Sequence, residues 1–187
     1  MPRAGVTTDR VVEEAEVLAD EVGLADVTLA QIARRLDVKV PSLYTHVAGL
    51  DALHAFVGAR AKSDLGDAMG RAAVGVAGDD AVDALADAYR AWAKRHPGRY
   101  SATLTAPDPG DEAAMAASAG AVQIVFDALA GYGLTGDDAI DATRAFRAAL
   151  HGFVSLEAAG GFGLPQDVDR SFHKLVDALK RSLRDWE

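Results

Sequence analysis

The side chains between residues 39 and 46 have the chemistry needed to contact double-stranded DNA. Ser42 can donate or accept a hydrogen bond, and Lys39 can reach a guanine edge or a phosphate. Tyr44 and His46 can donate to phosphate oxygens, contacts that fix position rather than read sequence. Three further residues carry apolar surface that suits thymine methyl groups: Val40, Pro41 and Thr45. A helical hairpin whose second helix is merely solvated explains this spacing equally well.

Two short helices joined by a tight turn are predicted to hold these side chains outward. The first helix has one apolar face at spacings i, i+3, i+4 and i+7, formed by Leu29, Ile32, Ala33 and Leu36. Thr28 precedes that face and can cap the first turn through its side-chain oxygen. We therefore expect an amphipathic helix that begins directly after Thr28.

The second helix is predicted to follow an interruption at Asp37 and Val38. Pro41 fits its first turn, where a missing N–H costs little. Leu43 and Val47 give this helix a buried edge, so its N-terminal residues face outward. An α-helix presented in this way fits the major groove of DNA.

The segment 30–47 resembles the helix-turn-helix of the tetracycline-repressor (TetR) family of bacterial transcription regulators. The matching residues are Ile32-Ala33, Leu36-Asp37-Val38, Leu43-Tyr44, His46 and Leu53. The resemblance covers roughly residues 8–57 and implies that Tyr44 and His46 contact the DNA backbone. Five residues would then lie on the recognition helix: Lys39, Val40, Pro41, Ser42 and Thr45. Thr28 completes the predicted DNA-binding set.

Two positions depart from the family pattern. Asp37 stands where the family usually has glycine, but Asp tolerates the left-handed backbone better than most residues, so we expect the turn to survive. Leu50 stands where the family commonly has a lysine that touches phosphate, which predicts weaker or more salt-sensitive binding. A helical module that binds small molecules or lipids, with a degenerate DNA-binding head, is the alternative that Leu50 and the acidic charge favour.

Composition places further bounds on the function. The 187-residue chain has a formal net charge of −9, which argues against indiscriminate nucleic-acid binding but allows a local basic patch. The absence of cysteine excludes disulfides. Because residues 1–8 look like a short arm and no uninterrupted apolar run reaches ~18 residues, we expect a cytoplasmic protein without a membrane span. The basic residues of the first quarter are Arg3, Arg10, Arg34, Arg35 and Lys39.

Helical periodicity continues to the end of the sequence, without an alternating strand pattern of useful length. Outside the helix-turn-helix, the predicted helices cover residues 9–22, 51 to about 71, 80–96, 99–105 (a short helix or turn), 112–130, 137–159 and 167–186. We therefore predict an all-α protein with a three-helix DNA-binding domain of the helix-turn-helix type at residues 1–50. Residues 51–187 would form a helical domain for effector binding and dimerisation.

The last two predicted helices extend the resemblance. Leu150-His151-Gly152 is similar to the Trp/Leu-His-Gly (WHG) segment of one C-terminal type in the family. In the family these two helices pair with those of a second subunit as a four-helix bundle, which implies a homodimer. Gly152, Ser155 and Ala158 are small enough to permit close packing there. The expected function is that of a ligand-responsive repressor that binds a palindromic operator as a dimer.

Three patterns that could indicate other chemistry are weak. The glycines Gly131, Gly133 and Gly136 match a dinucleotide motif literally, but no strand precedes them, so we interpret the segment as a turn between helices. Asp169 and His173 share a helical face at a spacing that metals use, yet without a third ligand we expect neither a metal nor a cofactor. No catalytic triad, nucleophile elbow or phosphate loop appears, so no enzyme is expected.

An effector site is expected among the aromatic and imidazole side chains of the second domain, because small-molecule sites are mostly apolar cavities with a few polar tips. The candidates are Tyr89, Trp92, His96, Phe126, Phe146 and His151. Ordinary core packing is the competing explanation for each of them. No Arg or Lys is expected centrally in the apolar stripes of these helices, which predicts a largely apolar, neutral or weakly cationic effector.

Overall fold

The computed structural model describes residues 6–186, and these contain helices and turns without a strand. The all-α fold expected from the sequence is confirmed. The helices are α1 Thr8–Val22, α2 Leu29–Arg35, α3 Val40–Leu43, α4 Leu50–Ala72, α5 Asp79–Arg95, α6 Pro97–Ala102, α7 Glu112–Leu129, α8 Gly136–Ala158 and α9 Val168–Arg184. Single turns of 3-10 helix add Leu24–Asp26 and Ala130–Tyr132. The first five residues of the expected arm, including Arg3, lie outside the described part of the chain.

Helices α1 to α3 form the part that we call the head, and local capping sets their ends. Thr7 accepts a hydrogen bond from the backbone N–H of Arg10 at the start of α1. Thr28 and Gln31 form a capping box on α2, in which each side chain accepts from the other residue's backbone N–H. Gly23, at φ 89°, ends α1. The predicted boundaries at Gly23 and Thr28 are therefore confirmed.

The hydrophobic core of the head includes residues from outside it. Ile32 and Leu43 are fully buried, and the same cluster contains Leu53 and Val57 of α4 and Ala102 of α6. Contacts accordingly group the chain into two compact units. The first unit consists of the chain up to Ser63 together with His96–Ser118. The second unit consists of Asp64–Arg95 together with Ala119–Glu187. The functional division at residue 50 stays a prediction, whereas the packing boundary lies further along α4 because α4 completes the core of the head.

Some apolar residues are exposed beside a buried helical face, as Val22 and Phe56 show. Val22 is 41% exposed because it is the last residue of α1, where the helix ends at Gly23. Phe56 is 43% exposed, since it lies about 100° around α4 from the buried Val57. Apolar character alone therefore does not mark a helix position as buried.

The second unit has its core among α5, α8 and α9. Its most buried side chains include Val82, Leu85 and Trp92 of α5, Phe146 and Leu150 of α8, and Phe172 and Val176 of α9. The glycine pattern of residues 131–136 connects α7 to the first residue of α8, and Gly133 and Gly136 have φ values of 75° and 57°. These positive angles explain the glycines as turn residues.

Helix α7 is unusually apolar. The segment Glu112–Tyr132 is long and apolar enough to cross a membrane by length and composition, and 22% of its apolar window is buried. The sequence shows no uninterrupted run because Ser118, Gln123 and Asp127 divide the segment. One such helix is weak evidence for a membrane span, since a helix of a soluble protein can have the same composition.

Candidate nucleic-acid interface

The turn between α2 and α3 depends on one residue with a left-handed backbone. Asp37 has φ 55°, and it is the sole non-glycine residue with positive φ in the described range 6–186. The backbone N–H of Val38 then donates to the carbonyl of Ala33 at 2.9 Å, which closes the turn. Asp37 therefore takes the conformation for which the family usually has glycine, as the sequence predicted.

Helix α3 is shorter than the resemblance implied. Only Val40–Leu43 are helical, with Lys39 as the N-cap and Thr45 in the turn that follows. The N–H of Val47 nevertheless donates to the carbonyl of Leu43 at 3.0 Å, so the turn keeps a helical course. Lys39 and Thr45 thus flank α3, the predicted recognition helix, rather than lie within it.

Burial separates the inner from the outer side chains of this segment. Leu43 and Val47 are 0% and 3% exposed, and they anchor the segment in the core of the head. Tyr44 is 58% exposed although it follows Leu43 directly. The other predicted DNA contacts are exposed (Thr28, Lys39, Pro41, Ser42 and Thr45) or half-buried (Val40 and His46).

Two hydroxyl groups, one in α3 and one in the turn after it, already use their protons. The Ser42 hydroxyl donates to the carbonyl of Lys39, and the Thr45 hydroxyl donates to the carbonyl of Ser42, each at 2.7 Å. Each oxygen keeps lone pairs that can accept a hydrogen bond. In this conformation both side chains therefore face solvent as acceptors.

The basic residues of the head are not equivalent. Arg35 lies 2.7 Å from Glu21 and 3.7 Å from Glu14, and the hydrogen bond to Glu21 raises the pKa of Arg35. Its charge is therefore matched by acidic residues of α1. Arg34 and Lys39 are exposed, and neither makes an ion pair within the described residues. The positive charge available to DNA is smaller than the sequence count suggested.

The six predicted effector residues are divided between the two compact units. Tyr89 and Trp92 are each 6% exposed and Phe146 is 2% exposed, all in the core of the second unit. His96 belongs to the first unit, where its Nδ1 lies 3.0 Å from Asp20 Oδ2. The remaining two are half-buried: Phe126 on α7 and His151 on α8.

A buried arginine contradicts the expectation of apolar stripes without Arg or Lys. Arg90 is 8% exposed and donates to both carboxylate oxygens of Glu157 and to Asp169, each at 2.7 Å. Its guanidinium lies 4.7 Å from the ring centroid of Phe172. The hydrogen bonds from Arg90 lower the pKa of Glu157 to about 2. The position of Arg90, four residues after the buried Ala86, was the signal that could have predicted this.

The helical pair weighed as a metal site has other partners. Asp169 is bound to Arg90, and His173 Nε2 lies 3.5 Å from Asp87 Oδ1. These side chains border an open groove of about 620 Å³ in the second unit, together with Ala91, Lys94 and Arg95. No set of three His, Cys, Asp or Glu side chains within residues 6–186 is placed to hold a metal ion.

A recognition helix held outward on a buried helical core defines a DNA-binding protein of the helix-turn-helix class. A sequence model described as "Tetracyclin repressor-like, C-terminal domain" matches residues 82–179. The chain belongs to the TetR family of transcription regulators. Family members of this kind are DNA-binding regulators rather than enzymes, and the chain is a DNA-binding transcription regulator.

Relatives and solved structures agree with this assignment. The uncharacterized HTH-type transcriptional regulator Rv0681 of Mycobacterium tuberculosis is 41% identical over 158 residues, covering 84% of this chain and 72% of the relative. The uncharacterized HTH-type transcriptional regulator YobS of Bacillus subtilis is 35% identical over 168 residues, covering 89% of this chain and 87% of the relative. A TetR variant from Acinetobacter baumannii, crystallised with minocycline, has the same fold, with a TM-score of 0.73 at 22% identity over 97% of this chain and 98% of that one. The WHG type of C-terminal domain stays a prediction.

Proposed function

We propose that the protein is a ligand-responsive repressor that binds a palindromic operator as a homodimer in the cytoplasm. The observation that carries the proposal is the contrast between buried Leu43 and exposed Tyr44, which gives the segment around α3 one fixed outward face. TetR-family regulators bind DNA and small-molecule ligands and act as dimers. A two-fold dimer would place two copies of α3 about 34 Å apart, one turn of DNA.

The outward side chains divide into positioning and base-reading groups. Tyr44 and His46 would donate to phosphate oxygens, with Thr28 at the start of α2 beside them. Because the Ser42 hydroxyl proton is held by the carbonyl of Lys39, Ser42 offers an acceptor, which suits the amino group of adenine or cytosine. The remaining base-facing residues would be Lys39, Val40, Pro41 and Thr45.

The effector is proposed to be largely apolar and neutral or weakly cationic. Arg90 is buried, but Glu157 and Asp169 already match its charge, so it is no counter-charge for an anionic ligand. Tyr89, Trp92, Phe126, Phe146 and His151 of the second unit stay proposed contact residues, as does His96 of the first unit separately. A cavity at Tyr89, Trp92 and Phe146 must open on binding because these side chains are packed. An effector that binds the splayed dimer more tightly would release DNA by population shift.

Selection of binding sites from a random pool of duplex DNA tests this proposal. We expect the selected sequences to contain inverted half-sites whose centres lie about 10 base pairs, or a multiple of that spacing, apart. Selected DNA with a single unrepeated site would contradict the palindromic operator. Failure to select any sequence would contradict sequence-specific repression as a whole.

A further inference from the structure

The first unit contains a cavity of about 260 Å³ that none of the predicted effector residues lines. It lies between the N-terminal half of α4, the end of α6 and the loop that precedes α7. Its apolar wall includes Leu24, Ala55, Ala59, Ala102, Pro107 and Ala114. A volume of this size and an apolar wall suit the body of a small organic molecule.

The polar groups of the cavity are predominantly acidic. Asp51, Asp108 and Asp111 contribute three carboxylates against one ammonium group, that of Lys62. The Lys62 ammonium donates to the carbonyl of Thr105 at 2.6 Å, so it is already engaged. Asp108 and Asp111 each use one carboxylate oxygen to accept a backbone N–H, at 2.8 and 2.9 Å. Their second oxygens remain available to a cationic ligand.

One ring nitrogen of a histidine in the cavity wall lacks a hydrogen-bond partner in the described part of the chain. His54 lines the cavity, and its Nε2 atom is buried without a partner in the described part of the chain. Burial lowers the pKa of His54, so its ring adds no positive charge beside the carboxylates of the cavity at neutral pH.

We infer that this cavity is a binding site for a small organic cation, with its ammonium group facing the carboxylates of Asp51 and Asp111. A metal ion does not fit, because no three His, Cys, Asp or Glu side chains in the described residues are close enough to coordinate one. The apolar wall instead takes the hydrocarbon part of a primary or secondary amine. Neutral molecules of the same shape lack the charge that the carboxylates attract.

The site adjoins the core of the head through α4. Leu53 and Val57 lie in that core, while Ala55 and Ala59 line the cavity on the same helix. At Gly58, a Cβ atom would lie 3.0 Å from the carbonyl oxygen of Ala102, so α4 and α6 already approach closely. A ligand between these helices would therefore act on the position of α4 beneath the recognition segment. The effect of the ligand on α4 rests on the proposed ligand response, whereas the existence of the binding site does not.

Titration calorimetry with 2-phenylethylamine and its neutral counterpart 2-phenylethanol tests the site on the full chain. We expect the amine to bind at least about tenfold more tightly than the alcohol, as one charge-assisted hydrogen bond implies. The double variant Asp51→Asn with Asp111→Asn should weaken amine binding severalfold, while asparagine can still cap α7. Ala55→Phe should fill the cavity and abolish binding. Asp67→Asn removes a carboxylate of α4 that does not line the cavity and should leave binding unchanged.

Three results would overturn the site: no amine binding, equal binding of the alcohol, or unchanged amine binding by Ala55→Phe. Thermal unfolding of each variant shows whether it is folded. If Ala55→Phe is not folded, Ala59→Leu replaces it, because it fills the same cavity from the next turn of α4. Release of DNA is measured separately on the same samples. Amine binding that leaves DNA bound supports the site and contradicts the proposed ligand response, so the two failures are distinguishable.

Discussion

Adjacent residues in the head have opposite environments, and this contrast fixes what each can do. Leu43 is fully buried and Tyr44 is 58% exposed. The change of one position rotates the side chain by about 100° around a helix, so the direction of Tyr44 is set by the anchor beside it. A phosphate contact from Tyr44 then requires no rearrangement of the core.

Substitutions at Tyr44 and Ser42 should affect DNA binding in different ways. Tyr44→Ala is expected to weaken binding to all sequences alike, because a phosphate contact carries no sequence information. Ser42→Ala should relax the preference at one base position, by about 1–3 kcal/mol for a good base contact. Fluorescence anisotropy with a set of single-base operator variants measures both effects. Unchanged affinity of Tyr44→Ala would contradict the assignment of that contact.

The Arg90–Glu157 pair predicts a specific pH dependence of stability. The pKa of Glu157 is about 2 in the folded protein, below the ordinary value near 4.3, because Arg90 donates two hydrogen bonds to the carboxylate. The stabilisation is therefore complete above about pH 5 and is lost as pH falls towards about 2. Glu157→Gln should lower the free energy of unfolding at pH 7 by about 1.5–3 kcal/mol and flatten its decline in acid.

Urea unfolding at several pH values measures this difference. Asp141→Asn is the matched control, because Asp141 lies in an exposed pair with Arg144 on the same helix and is worth at most about 1 kcal/mol. Equal loss of stability in both variants at pH 7 would show that burial of the Glu157 pair adds nothing.

Among the elements, α6 is held against α1 by a close backbone approach. A Cβ atom on Gly98 would lie 1.8 Å from the carbonyl oxygen of Ala19, so only glycine fits. Asp20 of α1 accepts from the backbone N–H and from Nε of Arg99, each at 2.9 Å. His96 also contacts both Asp20 and Arg99. The start of α6 is thereby fixed to the last turn of α1.

Replacing Gly98 should disrupt this docking. Gly98→Ala is expected to destabilise the first unit by at least about 3 kcal/mol, since neither backbone can move away without cost. Gly120→Ala is the matched control, because its Cβ would meet nothing within 4 Å on the exposed side of α7, and alanine favours helix by about 0.5–1 kcal/mol. Thermal unfolding compares the two. A Gly98→Ala variant as stable as the wild type would mean that α6 does not pack against α1 as described.

Predictability from the sequence differed from element to element for physical reasons. Helices α2 and α3 were predictable because periodicity, the Thr28 cap and Pro41 are local signals. The assignment of α6 to the first unit was not, because Gly98 meets Ala19 across a separation of almost eighty residues. Arg90 was missed because its favourable partner, Glu157, is equally remote in sequence. Exposure of the side chains that are predicted to contact DNA followed from the helical period once Leu43 was recognised as an anchor.

At the scale of the whole molecule, the proposed homodimer predicts a mass near twice 19.5 kDa in sedimentation of dilute protein. The surfaces of α8 and α9 would form the contact, and stable interfaces typically bury ~1,600 Å² in total. Ile140 and Leu156 of α8 are 40% and 52% exposed, and a Cβ atom on Gly152 would meet nothing within 4 Å. This face of α8 therefore has room for a second subunit. Gly152→Arg should therefore yield a folded monomer, whereas Gly120→Arg on α7 should leave the mass unchanged. A wild-type monomer at micromolar concentration would contradict the dimer.

The charge of the whole molecule bears on how the affinity for DNA is divided between phosphate contacts and base contacts. The net charge of −9 repels DNA at long range, and Arg35 is paired with Glu14 and Glu21. Arg10, Arg34 and Lys39 remain as exposed cations in the described part of the head, and Leu50 stands where the family commonly has a phosphate-binding lysine. Few phosphates are then neutralised, so base contacts and orientation carry a larger share of the affinity.

A gel-shift titration on DNA flanking the protein's own gene, with a shuffled duplex of the same composition beside it, tests the central claim most directly. The account predicts a discrete complex with the native sequence and much weaker binding to the shuffled duplex, and Tyr44→Ala should weaken both complexes. Equal binding to the two duplexes, or none to either, would contradict a head that reads DNA through the segment around α3.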